Sequence, residues 1–252
     1  MQAESQKRGE EPRKDFVHYL SQAKDPETGA GFAQAEFLAD LRLLIVAGSD
    51  TSSVVMAGAF FYLIRYPEAL ARLQEELRST FGSIDDIVSG PNLASCHYLR
   101  AVIDEALRLT PPVVSHLPRI VESPGITIDG TFIPAGVEVG TALFAIHRSA
   151  EYFKDPFTFR PERWLPGETS KDEIDIAKRA FAPFSLGNRG CIGKPMAYAE
   201  LSIALGRVLW QYNVRLKDGD KTGEDADGMY ELKDVFVSER NGPMCEFRRR
   251  QE

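Results

Sequence analysis

Residues 184–193 read FSLGNRGCIG, one cysteine and one arginine among three glycines. An apolar helical pattern follows directly. Glycines let a backbone approach something closely or take positive φ. A helix start favours negative charge, so a cysteine placed there is suited to act as an anionic ligand. The segment therefore reads as a loop that presents Cys191 to a metal or a flat cofactor, or as a tight turn around a buried free thiol. The loop alone does not separate the two. Cys96 and Cys245 are too far away in sequence to complete a zinc site or a disulfide framework, and no C-x-x-C occurs.

The chain has 252 residues, 43% of them hydrophobic, enough for one large domain or two small ones. Its net charge of −7 argues against nucleic acid as a partner. Arg248, Arg249 and Arg250 read as a solvated tail. The first residues, MQAESQKRGEEPRK, have no apolar run, so no signal peptide or anchor is expected there. Residues 43–64 carry one charge, Asp50, and are long enough to span a bilayer. A carboxylate at mid-bilayer costs about 2.5–3.5 kcal/mol. The stretch is read as a helix buried in a soluble core, with no membrane segment in the chain.

In order, residues 1–32 form a polar lead-in with a short helix at 15–23. Helical spacing then covers 33–65, 67–80 and 96–109, with 83–95 as loop. Pro67 opens the second of these as a first-turn proline. Residues 111–166 change texture. Short β-branched runs at 126–128 and 131–133 flank Asp129-Gly130, a strong hairpin signal, with a further run at 137–141 and a turn-rich meander after it. Residues 167–180 read as a polar insertion. The helix over 194–211 is apolar nearly all round and expected to be buried. Short strands are expected at 213–216, 235–238 and 244–247, around a loose acidic insert at 218–230. The fold class is mainly α with small β-sheets.

Three constellations could carry chemistry. Ala47-Gly48-Ser49-Asp50-Thr51-Ser52 lies inside the long helix. Asp and Thr side chains compete for backbone hydrogen bonds there, and Gly48 leaves room for a flat ligand. This is a proton relay or a polar kink. Glu105 and Arg108 share a helix face, and periodicity alone makes them an exposed pair. Arg163 sits in Phe159-Arg160-Pro161-Glu162-Arg163-Trp164, which reads as a proline turn with solvated charges. His18, His97, His116 and His147 show no ligand spacing and read as structural.

Together these segments resemble the C-terminal half of a cytochrome P-450, the haem-thiolate monooxygenase family. Its haem loop reads F-x-x-G-x-R-x-C-x-G, filled here by Phe184, Gly187, Arg189, Cys191 and Gly193. Ala197 and Glu200 fit the family's following helix. Residues 47–52 match [AG]-G-x-[DE]-T-[TS], Glu105 and Arg108 match E-x-x-R, and residues 161–164 match P-E-R-[FW]. The texture of residues 16–29 and 232–247 resembles fungal members, which serve secondary metabolism.

The resemblance implies a cytochrome P-450 fold, truncated, with its N-terminal helices missing, and one partial domain over 1–252. Within it, 33–110 would hold the oxygen-activation helix and 167–252 the haem loop, the buried helix and the last strands. The implied cofactor is haem b (iron protoporphyrin IX), with Cys191 on the iron. Phe184 and Gly193 would pack beside that ligand, and Ala47 and Gly48 would lie along the cofactor. Arg189 and Arg119 would pair with its propionates. Asp50 and Thr51 would deliver protons to bound O2. Glu105, Arg108 and Arg163 would form a buried charge network under the loop, against the exposed reading from periodicity. Ala47 and residues 113–117 and 234–237 would line the pocket of a small apolar organic substrate. Electrons would come from an NADPH-dependent flavoprotein reductase, with Lys178, Arg179 and Lys194 as candidate contacts. A longer parent would sit at the endoplasmic reticulum membrane, on its cytosolic face. The alternatives are a catalytically inactive, haem-poor fragment and a rearranging member that does not use O2, which the intact Asp50-Thr51 pair argues against.

Overall fold

The computed structural model describes residues 14–251. The polar lead-in before residue 14 lies outside them. The chain divides into two compact units, Met1–Ser49 and Asp50–Glu252.

In the first unit, α1 (Phe16–Gln22) is capped by Asp15, whose carboxylate accepts from the His18 N–H at 3.0 Å. Asp25 then closes a turn by accepting from the Thr28 N–H at 2.7 Å. The long helix α2 (Gln34–Leu63) starts here and runs on into the second unit. It is long and apolar enough to cross a membrane. Its buried residues all fall between Ser52 and Leu63, so the expectation of a buried helix holds for that half only.

The second unit is built on α3 (Pro67–Thr80), α4 (Pro91–Ala94) and α5 (His97–Leu109). Pro67 occupies the first turn of α3, Glu68 lies there too, and Arg78 lies in the last turn, each matched to the helix dipole. Leu70, Leu73 and Leu77 point inward. The N-terminus of α5 has no side-chain cap of its own. Glu76 of α3 supplies one, accepting from the Tyr98 and Leu99 N–H groups at 2.8 Å each. A Cβ at Gly58 would collide with Thr110, so only glycine lets α2 pass the end of α5 this closely.

Two small antiparallel pairs follow. β1 (Arg119–Ile120) pairs across the hairpin of β2 (Ile126–Ile128) and β3 (Thr131–Ile133) with β4 (Glu138–Val139). Asp129, at φ 45°, and Gly130, at φ 76°, make the hairpin turn that the Asp-Gly signal predicts. A short α6 (Leu143–Ile146) comes next.

The polar insertion at 167–180 is a helix, α7 (Lys171–Ala180). Ser170 caps it and bonds Glu173, an S-x-x-E start. Its inward face is only Ile174, Ala177 and Ala180, too small a stripe to stand out among charges.

α8 (Lys194–Gln211) buries Leu201, Leu205, Gly206 and Leu209, while Met196 is exposed. The expectation of a wholly buried helix is corrected: its first turns carry the loop. It leads into β5 (Tyr212–Leu216), paired with β6 (Cys245–Arg249). The strand expected at 235–238 is a turn closed by a bridge between Lys233 and Glu239. The acidic insert is anchored by Tyr230, buried against Phe61 with ring centroids 4.6 Å apart.

The core lies where α3, α5 and α8 meet the end of α2. A satellite cluster joins Phe153 and Trp164 to Ala177 and Ala180 of α7.

Candidate functional site

The loop at 184–193 is a backbone construction. The Cys191 N–H donates to the Phe184 carbonyl at 2.8 Å, Ser185 N–H to Ala182 at 2.9 Å, and Gly190 N–H to Gly187 at 2.9 Å. Gly187 takes φ 68°, which glycine alone adopts without strain. Ser185, at φ 59°, shares that region. The turn ends at Gly193, where a Cβ would touch the Cys191 sulfur at 3.7 Å. Cys191 is a free, exposed thiol, two residues before Gly193, the glycine that caps α8. Its flanks are open as well, with Ile192 92% and Leu186 71% exposed.

Phe184 is held from behind. Its ring packs on Tyr198 of α8, centroids 5.2 Å apart. The Tyr198 hydroxyl donates to Asp104 of α5 at 2.6 Å. Arg100 bonds the same carboxylate at 2.9 Å and lies 3.6 Å from the Tyr198 centroid. Burial pushes the Asp104 carboxyl up from its usual range, against the pull of Arg100 and Tyr198. Lys194 sits 5.9 Å from the Phe184 ring.

Glu105, Arg108 and Arg163 are fully or almost fully buried. Arg108 meets Glu105 in a two-pronged pair at 2.9 and 2.8 Å. Its remaining donors go to the carbonyls of His147, Pro156 and Thr158. Glu105 also accepts from the Arg160 N–H and the Trp164 indole, each at 3.0 Å, and from Arg163 at 3.4 Å. Arg163 donates further to the carbonyls of Lys154 and Asp155. The exposed-pair reading from periodicity is overturned. Arg108 lies off the apolar stripe, but carbonyls from forty to fifty residues onward cover that face. Burial would raise the Glu105 carboxyl, and the two arginines hold it below its usual range.

Of the long-helix residues, Ala47 and Gly48 belong to the first unit, where a Cβ on Gly48 would meet nothing within 4 Å. Asp50 is exposed and Thr51 half-buried. The next residue, Ser52, donates to Glu200 of α8 at 3.0 Å. That bond ties the Asp50-Thr51 turn to the helix that follows Cys191. Arg119 is exposed, and its guanidinium donates to the Leu117 and Pro118 carbonyls. Among the described residues neither Arg119 nor Arg189 forms an ion pair.

The residues next to the two segments expected to line a pocket, 113–117 and 234–237, are bonded to each other. Ser238 bonds the Pro112 carbonyl through both its N–H, at 2.8 Å, and its hydroxyl, at 2.9 Å. Two residues before Ser238, Phe236 takes φ 78°, strained for a phenylalanine, with its side chain 64% exposed.

Residues 1–235 match the family model described as cytochrome P450. The chain belongs to the cytochrome P450 family. It is 42% identical over 238 residues to the cytochrome P450 monooxygenase lcsN of Purpureocillium lilacinum, covering 93% of this chain and 71% of that one. It is 41% identical to AKT7 of Alternaria alternata and 44% identical to apf7 of Gibberella fujikuroi, both called cytochrome P450 monooxygenases. Each match takes in 94% of this chain but 48% and 46% of those proteins. A crystal structure of a cytochrome P450 (CYP102L1) matches at TM-score 0.75 and 28% identity, over 96% of this chain and 51% of that one. The P450 fold and the fungal kinship implied by the sequence are borne out. The chain spans about half the length of most of these relatives.

The cytochrome P450 family implies haem, and the residues here fit one. Among the described residues no three His, Cys, Asp or Glu side chains converge. The donor set at the loop is one exposed thiol, right for a metal whose other ligands belong to a ring and wrong for a protein-chelated ion. Apolar side chains flank it, and Arg119 and Arg189 form no ion pair with any carboxylate among the described residues. Sequence reasoning missed the Ser52–Glu200 bond, the Asp104–Tyr198 prop and the place of His147. In each, the partner lies dozens of residues away or more, so no spacing signals it.

Proposed function

We propose that this chain is the thiolate-bearing part of a haem monooxygenase. The overall reaction is R–H + O2 + 2e⁻ + 2H⁺ → R–OH + H2O, with R–H a small apolar organic substrate. Electrons come from an NADPH-dependent flavoprotein reductase, which meets the loop side through Lys178, Arg179 and Lys194. The single observation that carries the reading is the free, exposed Cys191 thiol on a loop fixed by its own backbone hydrogen bonds. Bound haem b would supply the activation of O2.

The chain's own residues do the rest. Cys191 would hold the haem iron, and Phe184 would shield the sulfur from water on one side. Arg189 and Arg119 pair with the propionates. Asp50 and the Thr51 hydroxyl would serve as the proton path to the site where a bound haem would activate O2. Glu105, Arg108 and Arg163 keep the ground under the loop rigid. The turn carrying Phe236 and the segment after Pro112 face the substrate. In a longer parent, the site is proposed to lie on the cytosolic face of the endoplasmic reticulum.

A second reading, a haem-poor fragment without turnover, is favoured by the exposure of Ile192, Leu186 and Ile120. Large apolar surfaces of this kind need a cover. Expression with haem precursor, reduction and addition of carbon monoxide decides between them. A strongly red-shifted Soret band is expected. Absence of bound haem, or only the band of a lost thiolate, removes the first reading for this chain.

A further inference from the structure

The buried histidine His147 has no part in the chemistry above, and its surroundings are specific. It is fully buried. Its ring is tilted on Phe181, centroids 5.6 Å apart, and meets the edge of Phe153 at 6.2 Å. Its Nε2 accepts from the Ala182 N–H at 3.3 Å. Its own carbonyl accepts from Arg108 at 2.7 Å. The residue thus touches the charge network with its backbone and the chain leading into the loop with its ring.

The contacts continue on both sides. Ala182 accepts from the Ser185 N–H, and the Phe184 carbonyl between them accepts from the Cys191 N–H. An unbroken run of hydrogen bonds and peptide links therefore joins Glu105 and Arg108, through His147, to the residue that carries the thiol. For Nε2 to accept, the imidazole must be neutral with its proton on Nδ1. That Nδ1 is buried without a protein partner.

We propose that His147 is a positioning residue: its neutral imidazole holds the Ala182 N–H and so fixes the Cys191 loop to the buried Glu105–Arg108 pair. The ligation part of this rests on Cys191 being the haem ligand; the tether itself does not.

The experiment uses the full chain, with and without haem, and compares His147→Phe with His147→Gln. Phenylalanine fills the site but cannot accept. Glutamine carries an acceptor at about the reach of Nε2. Amide exchange at Ala182 and Ser185 should quicken about tenfold or more in H147F and return towards the parent rate in H147Q. In the reduced, carbon monoxide-bound protein, H147F should convert faster to the lost-thiolate band, and H147Q should restore the parent rate. Unchanged exchange at Ala182 in H147F overturns the proposal. So does faster exchange spread evenly over α3 and α5, which would mark a packing role. If the parent chain shows no thiolate band while the exchange pattern appears as expected, the tether stands and the monooxygenase reading falls. Should H147F not fold, His147→Asn, too short to reach Ala182, is held to the same two outcomes.

Discussion

The charge network around Glu105 and the loop around Cys191 are joined by only a few bonds, yet they are built on opposite plans. In the network, side chains do the work and water is excluded. Both Glu105 oxygens are occupied, and every Arg108 nitrogen has an acceptor. In the loop, the backbone does the work and the side chains at 186–192 face outward. The first region is costly to disturb because each charge depends on another. The second can change a side chain freely but depends on the peptide path beneath it. An exposed thiol is held steady on its loop by putting the rigidity one layer below.

This contrast can be broken at its strongest point. Arg108→Ala leaves Glu105 buried with a single, more distant charged partner, Arg163, at 3.4 Å. Removing one member of a buried pair costs about 3–5 kcal/mol, so denaturant unfolding should show that loss, or the variant should not fold. A loss under 1 kcal/mol would mean the network is less buried than described. Tyr198→Phe removes the 2.6 Å bond to Asp104. A hydrogen bond to a charged group is worth about 1.5–3 kcal/mol, and the Phe184 support should loosen with it.

Acid tests the layer between the two regions. Burial first, then the charge of Arg108 and Arg148, pushes His147 down from 6.5 to about 3. Only the unfolded chain takes up that proton between those values. Stability from this group is therefore complete above about pH 6.5 and falls by about 1.4 kcal/mol per pH unit below it, until the folded value is reached. H147Q should flatten that slope when Tm is followed against pH. Smallest in stability, and largest in function, is Cys191→Ser. As an exposed side-chain change it should alter unfolding by no more than about 0.5 kcal/mol, yet the red-shifted carbon monoxide band should vanish. A retained shift would place the ligand elsewhere.

Much of this organisation was legible in the chain. The α3 leucines and the apolar stripe of α5 announce their helices, because their spacing is local. Asp129-Gly130 announces its hairpin for the same reason. α7 escaped because its inward face is mostly alanine. The 235–238 run looks like a strand by its valines and phenylalanine, but Ser238 binds the Pro112 carbonyl and turns the chain instead. For Glu105 and Arg108, helix periodicity points to solvent, and the covering carbonyls come from another part of the chain. The family motif corrected that pair. Nothing local marks His147, whose partner Ala182 lies 35 residues on.

The turn at Phe236 has a bearing on ancestry. It is held by main-chain atoms, by the Asp234 carboxylate and by Ser238, while the side chains of Val235 and Phe236 are largely exposed. Lineages descending from such a gene can exchange those two residues, even for glycine at 236 where the backbone would relax, and inherit an unaltered scaffold. Change at those two positions is thereby separated from the risk of losing the fold.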